Sequence, residues 1–251
     1  MLALWAKAHV NSPLMLWIWG SVLVYAVASN ALWFTRDSRR SPHLPASLNA
    51  GRFVFYLVIP YLALGGWPRR PYQGLLSLED MGIVGLGGRW PLSRWLEAAG
   101  TGLGWALVTA LILVLAWAYA NRRAHGLRLR FPSRTWWSIL IDVLYLEVHW
   151  AFYRGALAVA LDDVYAGIFG SLALIYLEWS LNPFWRQGWR QESQAATCWL
   201  RGAMVLIIAL LFFLSRNLWI CLLVHCLLEL SLRQLGSERK KNPMPQAHRV
   251  L

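Results

Sequence analysis

Hydrophobic residues along the chain gather in seven long runs, separated by shorter segments rich in polar residues, glycine or proline. A membrane-spanning helix needs about 20 predominantly apolar residues, and most of the runs approach that length. They predict an all-α protein, a polytopic transmembrane helical bundle of about seven spans, within a range of six to eight. The second run is short, so it can instead be tilted or re-entrant. The predicted spans cover 13–34, 52–66, 98–120, 134–158, 164–182, 197–214 and 217–234.

The segments between these runs divide the chain into four parts. Residues 1–66 hold the N-terminal transmembrane helices, and residues 98–235 form the main membrane domain. Between them, 67–97 is a Gly/Pro-rich loop with a short interfacial segment, in which Trp90 and Trp95 are expected at headgroup depth. Residues 236–251 form a basic tail.

The composition agrees with a membrane location. Hydrophobic residues make up 58% of the 251 residues and charged residues only 14%, whereas a soluble domain has about 25% charged residues. The 17 tryptophans suit the two interfaces of a bilayer. We therefore expect a multi-pass integral membrane protein in contact with the lipid bilayer, and we exclude a disordered chain.

The positive charge of the chain, +12 at neutral pH, predicts an orientation. The loops 35–52, 121–134 and 183–197 and the tail 233–251 hold 16 of the 24 Lys and Arg residues, and the segments on the opposite side hold six. Because positively charged loops remain in the cytoplasm, the C-terminus is predicted to be cytoplasmic. The charge is thus explained without a nucleic-acid partner, and the Arg and Trp usage and compact size suggest a bacterial plasma membrane.

Ionisable residues inside the predicted spans point to an interior site, because such groups are costly in a bilayer and usually have a function or a partner. They are concentrated in the fourth, fifth and seventh spans rather than scattered. This concentration predicts one polar site shared by three helices. The residues are Asp142, Glu147, His149, Arg154, Glu178, His225 and Glu229.

Helical geometry sorts these residues into faces. His225 and Glu229 are four positions apart and share a face, and Glu147 and Arg154 are seven apart and can form an ion pair. The offset of two positions points Glu147 about 200° away from His149. Two simpler interpretations stay open for other residues: Asp142 can reach water near the cytoplasmic end, and Glu178 can be interfacial.

Short motifs in these helices resemble those of the CPBP intramembrane proteases (the CAAX protease and bacteriocin-processing, or Abi, family). The stretch from His149 to Gly155, with Arg154 preceded by an aromatic residue, resembles the family's first motif, Glu-Glu-x-x-x-Arg. The stretch from Asn217 to Glu229 resembles its third motif, His-x-x-x-Asn/Asp, and residues 76–83 resemble the acidic segment that often precedes the domain. The resemblance covers roughly 75–235, so residues 98–235 are predicted to be a CPBP-like membrane domain.

The resemblance implies an intramembrane endopeptidase in which glutamates of the first motif activate a water and two later histidines complete the site. Here His149 and Trp150 occupy the two glutamate positions, and Glu178 lies one position before the expected histidine of the second motif, near 175–179. Arg154 and His225 are kept, and Glu229 replaces the Asn/Asp. The residues predicted to be catalytic are Glu147, His149, Arg154, Glu178, His225 and Glu229.

Three functions stay open at this stage. In the first, His149, Glu178, His225 and Glu229 bind a divalent metal such as zinc, Glu147 is a candidate base, and the substrate is a peptide or another membrane protein. In the second, the site is inactive and the fold is a scaffold or binding partner of another membrane protein. In the third, the Glu and His residues relay protons or serve transport.

Overall fold

The computed structural model describes residues 13–35, 44–64, 77–83, 90–123 and 135–241. All regular secondary structure in these ranges is helical, which confirms the all-α prediction. The long helices are α1 Pro13–Phe34, α4 Leu92–Arg123, α5 Trp136–Leu161, α6 Val164–Leu181, α8 Glu192–Ser215 and α9 Leu218–Lys241, and the short ones are α2 Leu44–Phe53, α3 Ile59–Leu64 and α7 Pro183–Arg190.

Four helical stretches in the described ranges are long and apolar enough to cross a membrane: Pro13–Phe34, Leu92–Leu115, Val164–Leu181 and Gln194–Ser215. They coincide with four of the seven predicted spans. Helices α5 and α9 are also long, but their ionisable residues make them less apolar. The structure therefore supports a membrane-embedded helical protein.

The second predicted span, 52–66, is not one continuous α-helix. A π-helical turn, Val54–Val58, separates α2 from α3 and carries the buried Phe55. π-helical turns inside helices frequently occur at functional positions. Here the turn packs against α5, where it places Phe55 and Tyr56 beside His149.

Three predicted boundaries shift in the structure. Helix α4 begins at Leu92, so Trp95 belongs to it, with the Trp90 ring 5.6 Å from the Trp95 ring. The predicted cytoplasmic loop 183–197 contains α7 and the start of α8. The predicted tail from residue 236 begins as part of α9, which continues to Lys241. Residues 65–66 of the second predicted span, 67–76 and 84–89 of the predicted loop, and 242–251 of the predicted tail lie outside the described ranges.

Helix α5 lies at the centre of the bundle. It packs against α1, α6, α9 and the π-helical turn, and every residue from His149 to Leu157 is buried. Helix α6 approaches it most closely at Gly167, where a Cβ atom would lie 2.6 Å from Arg154 O and from Ala158 Cβ. The turn between the two helices is fixed by Asp163, whose carboxylate accepts from Tyr165 N at 2.7 Å.

Candidate active site

Three buried ionisable side chains project from the central helix. Glu147, His149 and Arg154 are 0%, 1% and 3% exposed. Glu147 and Arg154 lie on the face of α5 that meets α9, whereas His149 lies on the face that meets α6 and the π-helical turn. The helix therefore carries a polar site on each of two opposite faces.

The first site joins Glu147 to His225 and Arg154. His225 Nδ1 lies 2.7 Å from Glu147 Oε1, and Arg154 Nη2 lies 3.6 Å from Glu147 Oε2. The Trp150 ring stacks on the imidazole of His225 at 5.3 Å and 11°. The guanidinium of Arg154 lies over the Phe212 ring at 4.3 Å. The carboxylate is thus held between an imidazole and a guanidinium, enclosed by aromatic rings.

Several polar atoms of this site have no hydrogen-bond partner among the described residues: Glu147 Oε2, Arg154 Nε and Arg154 Nη2. Leaving a buried polar atom unsatisfied costs about 1–3 kcal/mol. In native structures such atoms usually bind a water or a ligand. An acceptor and two donors that are close together and otherwise unsatisfied mark a place where a water or a substrate carbonyl fits.

A cavity of about 180 Å³ adjoins this place. Arg154 lines it, together with the apolar residues Ala158, Ile168 and Phe212 and the charged residues Glu79 and Arg216. Glu79 belongs to the turn at 77–83, which is fixed to the start of α9 because Leu218 N donates to Gly82 O at 2.8 Å. The cavity therefore lies at the end of the bundle where this turn meets the α5–α6 and α8–α9 connections.

The second site joins His149 to Glu178 and Tyr153. His149 Nε2 lies 3.3 Å from Glu178 Oε1, and the Tyr153 hydroxyl donates to the same oxygen. The hydroxyl of Ser21 on α1 lies 3.1 Å from that of Tyr153. The rings of Phe55, Tyr56 and Tyr153 surround the imidazole with centroids at 4.6, 5.3 and 4.5 Å. This network connects α1, α5 and α6 through buried side chains.

The remaining predicted residues have other partners. Glu229 accepts from Arg233 on its own helix at 2.6 Å, so its carboxylate is paired with a cation. Asp142 forms an ion pair with Arg52 at 2.5 Å and is partly exposed. Glu178 is buried rather than interfacial, at 3% exposed.

The four predicted metal ligands thus lie in three separate places in the structure. His149 pairs with Glu178 on one face of α5, His225 pairs with Glu147 on the other, and Glu229 pairs with Arg233. In the part of the chain that the structure describes, no group of three or more His, Cys, Asp or Glu residues could hold a metal ion. A zinc site needs three or four such ligands, so the set does not fit zinc in this arrangement, and zinc binding stays a prediction.

Sequence reasoning did not predict that Trp150 stacks on His225, and it gave no role to Tyr153 or Ser21. The signal for two of them was present, because Trp150 follows Glu147 by three positions and Tyr153 follows His149 by four, so each shares a face with its neighbour. Ser21 carried no signal, since a serine within an apolar helix is common. The role of Ser21 depends on which face of α1 packs against α5.

No family model, curated protein or solved structure matches the chain. The similarity to the CPBP family therefore depends on the short motifs around Arg154 and His225.

Proposed function

We propose that the protein is an intramembrane endopeptidase of the CPBP type in which Glu147 is the general base. The observation that carries the proposal is the carboxylate of Glu147. One of its oxygens is held by His225, and the other has no hydrogen-bond partner among the described residues and faces Arg154, which lines a cavity. A general base needs a free oxygen within reach of the water that it deprotonates.

In the proposed reaction, Glu147 Oε2 takes a proton from a water, and the water oxygen attacks the carbonyl carbon of the scissile peptide bond. Negative charge then develops on the carbonyl oxygen, and the unsatisfied N–H groups of Arg154 stabilise it. As the C–N bond breaks, the proton passes from Glu147 to the departing amine. His225 keeps the carboxylate oriented throughout, and this sequence uses no metal.

The substrate in this proposal is a peptide or membrane protein whose scissile bond enters the cavity from the nearby end of the bundle. The predicted orientation, with a cytoplasmic C-terminus in a bacterial plasma membrane, places this end on the outer side. The apolar walls at Ala158, Ile168 and Phe212 favour an apolar side chain next to the scissile bond.

The test is cleavage of an internally quenched peptide library by the full-length protein purified in detergent, with metal analysis of the same sample. General acid–base catalysis contributes about 10²–10⁴-fold, so Glu147→Gln should lower the rate at least about 100-fold. Asp142→Asn is the matched control, because it makes the same change on the same helix at a residue paired with Arg52. Equal rates for wild type and Glu147→Gln would contradict the proposal.

One observation favours the inactive scaffold as the second candidate. Trp150 covers the face of the His225 imidazole and is itself 3% exposed. A tryptophan cannot abstract a proton, and this one occupies a position where the resemblance implies a glutamate. If the wild-type protein cleaves no member of the library above the rate of Glu147→Gln, the scaffold becomes the better explanation.

A further inference from the structure

The short helix α7 carries a surface that the proposed peptidase reaction does not use. Arg186 and Arg190 are four positions apart and therefore share a face of the helix, and both side chains are exposed. No ion pair joins either of them to a carboxylate whose side chain the structure describes. The helix thus presents two adjacent guanidinium groups at one end of the bundle, between α6 and α8.

Aromatic rings form a continuous row beside these arginines. The ring centroids of Trp179 and Trp185 are 4.3 Å apart, those of Trp185 and Trp189 are 6.1 Å apart, and those of Trp189 and Trp199 are 4.8 Å apart. Trp199 is 68% exposed. Tryptophans collect at the headgroup level of a bilayer, so the row indicates the depth at which α7 lies.

The helix is held rigidly on the bundle. Asn182 caps it by accepting from Phe184 N at 2.9 Å, and the Asn182 amide donates to Tyr25 OH on α1 at 2.8 Å. On the side facing α8, Gly188 is buried so closely that a Cβ atom would lie 2.9 Å from Cys198 Sγ. Since the helix is fixed, a partner does not have to order the backbone that carries Arg186 and Arg190.

We propose that α7 lies in the membrane interface and that Arg186 and Arg190 form a binding site for the phosphate groups of anionic phospholipids. Guanidinium groups bind phosphate with two parallel hydrogen bonds, and the neighbouring tryptophans bury their rings among the upper acyl carbons. Three exposed cations close in sequence, Arg186, Arg190 and Arg201, give this surface the charge that an anionic leaflet attracts.

The experiment measures the preference of the full-length protein for anionic over zwitterionic lipid. The protein is reconstituted in bilayers of phosphatidylcholine and titrated with brominated phosphatidylglycerol or brominated phosphatidylcholine. Brominated lipid quenches whichever of the 17 tryptophans it contacts, so the part of the quenching that the α7 variants remove reports lipid at the row of rings. One arginine near a lipid surface contributes about a fivefold change in binding constant. The preference for phosphatidylglycerol should therefore fall about fivefold in Arg186→Gln or Arg190→Gln and about 25-fold in the double variant.

The matched control is Arg94→Gln, an exposed arginine at the start of α4, near the opposite end of the bundle. It should leave the preference unchanged. The variant with lysine at both α7 positions should keep more of the preference than the glutamine variant, because the charge remains while the paired hydrogen bonds are lost. Thermal unfolding of each variant shows that it is folded.

Two results would overturn the proposal. If the double glutamine variant keeps the wild-type preference, the arginines do not bind anionic lipid, and a protein partner becomes the better occupant of this surface. If Arg94→Gln lowers the preference as much as either α7 variant, the effect comes from net charge and not from a site on α7. Neither result depends on whether the protein is a peptidase.

Discussion

Replacing Glu147 with glutamine should destabilise the protein because it leaves a buried cation without its counter-charge. Arg154 is 3% exposed, and Glu147 is its ion-pair partner in the described part of the chain, at 3.6 Å. Glutamine keeps the size of the side chain but removes its charge. Among the described residues, the guanidinium then keeps its cation–π contact with the Phe212 ring, at 4.3 Å.

The contacts of these residues predict how much each of three variants should destabilise the protein. Breaking a buried ion pair by removing one partner costs about 3–5 kcal/mol, which is the loss of unfolding free energy expected for Glu147→Gln. His225→Gln should cost about 1–3 kcal/mol, since Arg154 still neutralises Glu147. This cost is that of losing the hydrogen bond between His225 Nδ1 and Glu147 Oε1, which are 2.7 Å apart. Asp142→Asn, which breaks a partly exposed pair, should cost about 1 kcal/mol or less.

Thermal unfolding in a mild detergent measures these differences. A change of 1 kcal/mol shifts the Tm of a chain of this size by about 2–4 °C, so Glu147→Gln should lower the Tm by about 6–20 °C. The double variant Glu147→Gln/Arg154→Gln removes both charges and should be clearly more stable than the sum of the single effects predicts. Single effects that add within about 0.5 kcal/mol would refute the coupling, as would a Tm for Glu147→Gln equal to that of Asp142→Asn.

Two further pairs of variants test the packing of α5, each by the same unfolding measurement. Tyr153→Phe removes the hydroxyl that donates to Glu178 and should lower the free energy of unfolding by about 1–3 kcal/mol. Tyr176→Phe, at a partly exposed tyrosine, should lower it by less. Equal losses would contradict a special role for the buried network. Gly167→Ala places a Cβ against the α5 backbone and should destabilise the protein by at least about 1–3 kcal/mol. In the control Gly104→Ala, the new Cβ meets no atom within 4 Å, so this variant should be neutral or stabilising. An unchanged Tm for Gly167→Ala would show that the two helices can separate at no cost.

The long helices could be predicted because bilayer solvation imposes a simple rule on sequence, a run of about 20 apolar residues. Helix α7 could not be predicted in this way. It has only eight residues, and its charged and aromatic positions lie on two different faces. When hydropathy is averaged over the length of a membrane span, such a segment looks like a polar loop. The π-helical turn at Val54–Val58 was missed for another reason, since nothing in its apolar sequence marks the extra residue in the turn.

The candidate site was only partly predictable for a similar reason. The Glu147–Arg154 pair can be predicted from spacing, because residues seven positions apart share a face however their helix is rotated in the bundle. The partners across helices cannot, since they depend on how each helix is rotated about its own axis. Close contacts such as the one at Gly167 set that rotation, and no periodicity in the sequence reports it. His149 and His225 were therefore expected together and are found apart.

The separation of the two histidines changes how the central helix should be understood. The offset of two positions between Glu147 and His149 predicts that the two side chains point away from each other, and they contact different helices in the structure. With one acid–imidazole pair on each face, the same offset becomes the reason why α5 can bind α9 through Glu147 and α6 through His149 at nearly the same depth. In the described part of the chain, the pair with α9 has a neighbouring cation, Arg154, and this cation lines a cavity. The pair with α6 is closed in by Phe55, Tyr56 and Tyr153, so we expect it to hold the bundle together, whereas the proposed chemistry belongs to Glu147.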